Sequence, residues 1–333
     1  MKRNARPGDI DCGTVDRAAA SSGGRDAELF ERSRNRLEAI AYRLLGSAGD
    51  AEDAVQDTYL RWHAAARDRI ENPEAWLTKV LTNLCLNQLT SARARRETYV
   101  GQWLPEPLLA GDRMLGPADT AEQKDTVSMA LLTLLERLSP NERVVYVLRE
   151  AFGYPHREIA GILGLTESNC QQIHRRARQH LADDRVRADI DSVTAATITE
   201  HFVATALSGD TEPLVAMLTA DVVSIADGGG RMPARRGPVT GAVAVARYLR
   251  GLFCPTDSKR AVIGGSPALY AAVVNGGPAV LVELDGRVVG VVCLDLRDRR
   301  VAGLHLQVNP DKLERITRSW AATAPREPLV ARW

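Results

Sequence analysis

Apolar positions recur at helical spacing along most of the first 190 residues and give way to strand-like runs near the C-terminus. Within 26–97, Leu37, Ile40, Ala41, Leu44 and Leu45, then Ala54, Val55, Tyr59 and Leu60, mark helix faces. Turn signals at 46–50 and at Glu71-Asn72-Pro73 divide this stretch into about three helices. Segment 99–120 holds Pro105, Pro107, Gly111, Gly116 and Pro117 and predicts a linker. Helical spacing returns over 124–181, broken at Ser139-Pro140 and Gly153-Tyr154-Pro155. Beyond Ile190, helical stretches at 197–207, 211–218 and 239–252 precede strand runs at 279–284, 288–296 and 301–308. Asp285-Gly286 and Arg297-Asp298-Arg299 between those runs are hairpin signals.

Composition adds bounds. A chain of 333 residues has room for two or three domains with their own cores. Its 43 Lys+Arg against 42 Asp+Glu exclude a uniformly basic nucleic-acid coat and a polyacidic chaperone. The balance conceals local runs. Asp50, Glu52, Asp53 and Asp57 are acids with no base among them, whereas Arg93, Arg95 and Arg96, and later Arg175, Arg176 and Arg178, are basic clusters. Each run reads as a solvated helix face or as a docking surface. The five cysteines are scattered with no metal-ligand spacing, so a reducing compartment and no structural metal or cofactor are expected. No window resembles a membrane span, and 1–24 lacks the apolar core of a signal peptide, which predicts a soluble cytoplasmic protein.

The most specific local pattern lies at 157–181. Ile159, Ile162 and Leu163 supply a packing face, Gly164 permits a sharp turn, and Thr166 can cap the following helix. In that second helix Cys170, Ile173, Ala177 and Leu181 form one buried stripe, which makes Cys170 core. The other side presents Ser168, Asn169, Gln171, Gln172, Arg175 and Arg176, with Arg157 on the first helix. Amides and hydroxyls near a helix start with arginines beyond it suit base edges and phosphates, the arrangement of a helix-turn-helix. In the first unit, Trp76, Lys79, Asn83 and Asn87 share a helix face that runs toward Arg93, Arg95 and Arg96. An aromatic, amides and positive charge together fit single-stranded nucleic acid. Trp76 fits a core anchor equally well.

The stretch from Asp50 to Trp62 resembles the polymerase-binding helix of bacterial sigma factors. Asn72-Pro73-Glu74-Ala75-Trp76-Leu77 with Asn83 resembles the helix that opens the −10 element, and the helix-turn-helix resembles the −35 reader. The short form is similar to the extracytoplasmic-function class. Trp103-Leu104-Pro105-Glu106-Pro107, Asp227-Gly228-Gly229-Gly230-Arg231 and Asn309-Pro310-Asp311-Lys312-Leu313 resemble the subgroup with a fused SnoaL-like (NTF2-like) C-terminal domain. Departures from the family pattern fall at Thr82, Asn87 and Thr90, where −10 preference would differ.

The resemblance implies two all-α sigma domains followed by a C-terminal α+β cone, and no active site. The expected division is a disordered tail at 1–25, sigma region 2 at 26–98, a linker at 99–123, sigma region 4 at 124–186, the SnoaL-like domain at 190–320 and a tail at 321–333. It implies core RNA polymerase, through its β′ and β subunits, and promoter DNA as partners of a protein that is monomeric when free. Asp50, Glu52, Asp53, Gln56, Asp57, Tyr59 and Leu60 would dock on polymerase, although packing inside the unit is the reading favoured for Leu60. Arg69 and Asn72, in the loop that captures a flipped base, join the −10 set. Trp103, Leu104, Pro105, Asp227, Gly228, Gly229, Gly230, Asn309, Pro310, Asp311, Lys312 and Leu313 would make regulatory contacts. The cone would offer room for a small-molecule ligand. The rival reading is a helix-turn-helix regulator whose C-terminal domain binds a small molecule or acts as a cyclase or isomerase. His305, between Leu304 and Leu306, would face the cone, and a structural role for it outweighs a catalytic one because no acid partner is visible in the sequence.

Overall fold

A computed structural model describes residues 13–97, 99–116, 127–182, 192–323 and 326–333; the side chains of 13–26, 67, 92–97, 182, 192 and 193 fall outside that description. The first helices are α1 (Gly13–Leu45), α2 (Ala48–Ala64) and α3 (Pro73–Glu97). Ser47 caps α2 by accepting from the Asp50 amide at 3.2 Å, and Asn72 caps α3 by accepting from Ala75 at 3.1 Å. α1 begins inside the segment expected to be a disordered tail.

After the linker come α4 (Met129–Leu135), α5 (Pro140–Glu150), α6 (His156–Leu163) and α7 (Glu167–Ala182). Ser139 and Glu142 form a capping box at the start of α5. The two helical units share one core that runs from Phe30 through Leu77, Leu81 and Cys85 to Val144, Val145, Leu148 and Ile159. Across their junction the Thr78 and Tyr154 hydroxyls are 3.0 Å apart, and the Arg36 and Arg43 guanidiniums lie over the Tyr154 and Phe152 rings.

The rest of the chain forms α8 (Ser192–Ser208), α9 (Thr211–Met217), β1 (Leu218–Asp227), β2 (Val239–Thr240), α10 (Ala242–Phe253), α11 (Asp257–Ile263), β3 (Ala268–Val274), β4 (Gly277–Leu284), β5 (Arg287–Arg297), β6 (Arg300–Gln307) and α12 (Glu314–Ala321). The sheet order is β2-β1-β6-β5-β4-β3, with β1 parallel to β6 and the other pairs antiparallel. One face, with Leu294, Leu304 and Leu306, packs on α8, α9 and α10. The opposite face, with Ala279, Leu281, Val291 and Cys293, packs on Leu109 of the linker, Met129 of α4, and Leu313 and Ile316 near α12.

The α+β class expected for this domain holds, but the cone does not form. The sheet stays open, and its edges β2 and β3 do not pair with each other. Two local causes are visible. β2 has only two residues, and the β3 edge is occupied by other parts of the chain, with Leu109 bridging Val274 and Val330 bridging Leu269. The expected ligand was placed in that cone. The last residues, expected to be a tail, are pinned as well: the Trp333 indole donates to the Phe253 carbonyl at 2.7 Å, and the residue is only 8% exposed. Among the described residues no helix is long and apolar enough to cross a membrane.

Candidate functional site

α2 separates its residues by chemistry. Ala51, Ala54, Val55, Thr58 and Trp62 are buried, while Asp50, Asp53, Gln56 and Asp57 are exposed. Leu60 is 56% exposed, so it is not the packing residue that its spacing favoured. Tyr59 is partly buried, 4.9 Å from the Phe30 ring. Glu52 is engaged within the chain: it accepts from Arg315 of α12 at 2.6 Å and lies 3.8 Å from Arg113.

On α3, Leu77, Thr78, Leu81, Thr82 and Cys85 are buried, and Lys79, Asn83 and Asn87 are exposed on another face. Arg69 and Asn72 are exposed just before it. Trp76 is half-buried with its ring 5.5 Å from that of Trp62, so it anchors α3 on α2 while keeping an edge in solvent. Arg93, Arg95 and Arg96 lie in the last turns of α3, and their side chains are outside the described residues.

The helix-turn-helix forms as its residues require. Gly164 ends α6 in the left-handed region at φ 67°, and the Leu165 amide donates back to Ala160 at 2.9 Å. Thr166 accepts from the Asn169 amide at 3.3 Å. Cys170, Ala177 and Leu181 are buried, and Arg157, Ser168, Asn169, Gln171, Gln172, Arg175 and Arg176 are all exposed. His174 ties α7 to the neighbouring helices, 3.2 Å from His156 and 2.9 Å from Glu150. Burial, with the His174 and Arg149 charges, lowers the His156 pKa from its ordinary value.

The three loop motifs, at 103–107, 227–231 and 309–313, meet around one carboxylate. Asp227 is fully buried. Its Oδ1 accepts from the Tyr99 hydroxyl at 2.7 Å and the Gly229 amide at 2.9 Å. Its Oδ2 accepts from the Leu104 amide at 2.9 Å, the Lys312 ammonium at 2.8 Å and the Gln307 amide at 3.4 Å. Lys312 also donates to the Leu104 carbonyl at 2.6 Å and stands 4.1 Å from the Trp103 ring centre. Asn309 donates to Tyr99 at 3.0 Å, and a side chain at Gly229, where φ is 59°, would collide with Asn309. Pro105 contributes its carbonyl, 3.4 Å from Gln307. Pro310 opens the short turn Pro310–Lys312, Asp311 pairs with Arg231, and Leu313 is buried against the sheet. Gly228 is buried with no space for a Cβ, and Gly230 abuts Val100.

Sequence reasoning missed a second cluster beside the first. Asn275, buried at φ 52° between β3 and β4, donates to the Tyr42 hydroxyl at 2.7 Å and the Val127 carbonyl at 3.0 Å. It also accepts from the Leu108 amide at 2.9 Å, so one turn residue joins α1, the linker and the approach to α4. Tyr42 in turn donates to the Glu106 carbonyl at 2.7 Å. The Glu106 carboxylate accepts from Ala48 at the start of α2 at 2.7 Å, and burial raises its pKa above the ordinary 4.5. Arg315 joins Glu52 to Asp112 of the linker at 2.7 Å. Burial would lower the Arg315 pKa, but its bonds to the two carboxylates outweigh that and raise it. The Asn275-Gly276 pair was a legible turn signal and Glu106 lay inside the 103–107 motif, whereas Tyr42 carried no signal.

His305 has an acid partner after all. Its Nδ1 lies 3.1 Å from Asp295 on the neighbouring strand. His201 is exposed.

The family model of sigma-70 region 2 matches residues 29–95, and that of sigma-70 region 4 matches 128–181. The chain is 35% identical to the extracytoplasmic-function (ECF) RNA polymerase sigma factor SigJ of Mycobacterium tuberculosis over 85% of its own length and 91% of the relative's. It is 33% identical to the probable ECF sigma factor SigI of the same organism over 83% and 90%. The crystal structure of M. tuberculosis SigJ superposes with a TM-score of 0.66 at 31% identity, covering 86% of this chain and 97% of that one.

Proposed function

The chain belongs to the ECF RNA polymerase sigma factors, and from that membership we propose how its parts divide the work of promoter recognition. Its function is to join core RNA polymerase and direct transcription initiation. Residues 26–98 act as sigma region 2, 99–123 as the linker, 124–186 as sigma region 4 and 190–320 as the regulatory domain. Asp50, Asp53, Gln56 and Asp57 dock on a basic surface of the β′ subunit, where complementary charge speeds encounter and fixes orientation. Leu60 adds an apolar anchor, and Glu52 joins them once Arg315 releases it. Lys79, Asn83 and Asn87, with Arg69, Asn72, Trp76 and the arginines at the end of α3, take the opened −10 strand. The exposed face of α7, with Arg157, reads the −35 duplex in the major groove. The linker passes along the β and β′ subunits.

One observation carries this reading. Asp50, Asp53 and Asp57 of α2 and the polar face of α7 stay exposed while the apolar stripes of the same helices are buried, so these groups are open to partners before any rearrangement. The C-terminal domain holds the linker through Asp227, Lys312 and Asn275, and thereby tunes how readily the part of the linker beyond Gln102 is given up to polymerase. The test is run-off transcription with core polymerase from a promoter selected by the holoenzyme from a random library, comparing the full chain with one ending near Asp189. Transcripts that require both chain and core, with output that differs between the two forms, are the expected result. Core-independent binding to the selected promoter, with no transcript from either form, contradicts the reading.

A further inference from the structure

Between Gly228 and Thr256 the chain carries five arginines, Arg231, Arg235, Arg236, Arg247 and Arg250, and no acid. In a protein with 43 bases and 42 acids overall, a solvated face ordinarily mixes the two signs, and this segment departs from that. Folding brings the arginines to one region. Val245, Ala246, Leu249 and Phe253 bury one side of α10, which leaves Arg247 and Arg250, three positions apart, exposed on another. Arg235 and Arg236 are exposed in the loop after β1. The loop runs through Ala234 and β2 into α10, and Ala234, Val239 and Tyr248 pack on the same core, so loop and helix are neighbours. Among the described residues Arg231 pairs with Asp311, and no ion pair engages Arg235, Arg236, Arg247 or Arg250.

The position of this loop is fixed by the segment that leaves α3. The Tyr99 hydroxyl donates to Asp227 at the root of the loop, and a Cβ at Gly230 would sit 3.2 Å from Val100. The Gln102 amide donates to the Arg236 carbonyl at 3.2 Å. Tyr99, Val100 and Gln102 follow within a few residues of the basic end of α3 at Arg93, Arg95 and Arg96. The arginine loop therefore continues the charged end of that helix onto the C-terminal domain.

We infer that Arg235, Arg236, Arg247 and Arg250 form a second DNA-phosphate surface, through which the C-terminal domain grips the promoter duplex beside the −10 helix in the holoenzyme. The inference rests on the assignment of α3 to the −10 element. Guanidinium forks match phosphate oxygens two at a time, and exposed arginines without acid partners bind phosphate without first breaking an ion pair. The contacts carry no sequence information and serve to position the duplex. The chain's near-neutral total keeps this surface weak until polymerase presents the DNA to it.

The experiment measures holoenzyme affinity for the selected promoter across a salt series, using the full chain and the variants R235Q/R236Q, R247Q/R250Q and R175Q/R176Q. Each phosphate contact contributes about 0.9 to the slope of log affinity against log salt. Each of the first two variants is expected to lower the slope by about 1–2 and to weaken binding several-fold at moderate salt, with core affinity unchanged. Wild-type slopes in both, alongside a reduced slope in R175Q/R176Q, overturn the inference and leave the sigma-factor reading intact. Wild-type slopes in all three variants overturn both. Reduced core affinity with an unchanged slope overturns it in favour of an acidic polymerase surface as the partner.

Discussion

Asp53 and Asp227 are the same residue type in opposite settings. Asp53 stands exposed on α2 with its charge open to a partner, whereas Asp227 is fully buried and accepts from Tyr99, Leu104, Gly229 and Lys312. The contrast extends to the whole of each region. Apart from Glu52 and His174, the polar groups named on α2 and α7 stand in solvent, and the linker clasp consists of polar groups that the chain uses almost completely. Polar residues held in solvent cost little stability and supply recognition. Polar residues buried together contribute stability only as a complete set, because each depends on the others for its hydrogen bonds. Variants in the two regions should therefore separate binding from folding.

The largest effect on stability is expected from Asp227→Ala, which leaves the Lys312 ammonium without its counter-ion and the Leu104 amide without an acceptor. Loss of one partner of a buried ion pair costs about 3–5 kcal/mol, readable as a lower urea midpoint for the C-terminal unit. Asn275→Ala comes next. It strands the Tyr42, Leu108 and Val127 groups and puts a side chain that disfavours φ 52° into the turn, at about 2–3 kcal/mol. Asn275→Gly should recover the backbone part alone, so comparing the two variants divides the cost.

Glu106 supplies a smaller, pH-dependent effect. Burial raises its folded pKa above the ordinary 4.5, so its protonated form favours the folded state. That contribution is full below the unfolded value and is lost as pH rises through the folded value. The clasp should therefore tighten on acidification from neutrality toward pH 4.5, and Glu106→Gln, which can still accept from Ala48, should flatten the profile of unfolding midpoint against pH. The smallest effect on stability belongs to Arg175→Gln with Arg176→Gln, within about 0.5 kcal/mol because both are exposed. The same pair should lower the salt slope of promoter binding by up to about 2. A fall in stability comparable to that of Asp227→Ala would erase the distinction between the two regions.

What could be read from the sequence follows the same line. Amphipathic helices announce themselves locally, so α2, α3, α6 and α7 and their exposed faces were legible from periodicity, Gly164 and Thr166. β1 and β3 were not. Asp221 and Asp227 interrupt or end the apolar pattern of β1, and the small residues of Ala268–Val274 gave β3 no clear alternation. The cone failed because sequence patterns do not say whether sheet edges meet, and here Leu109 and Val330 occupy the β3 edge. The clasp was legible only where the resemblance marked its loops. Tyr42 and Asn275 lie 233 residues apart, and neither hydrophobicity nor spacing links them. Leu60 misled because a leucine at helical spacing usually packs inward, whereas this one is exposed.

The central claim is that exposed polar groups serve partners and clasped ones serve the chain. Run-off transcription with core polymerase tests it most directly, using wild type, the triple variant Asp50→Asn, Asp53→Asn and Asp57→Asn, and Asp227→Asn. The account predicts loss of transcript in the triple variant with wild-type thermal stability, and an altered transcript level from the same start site in Asp227→Asn with reduced stability. Wild-type transcription by the triple variant, or wild-type transcript level and stability in Asp227→Asn, would contradict it.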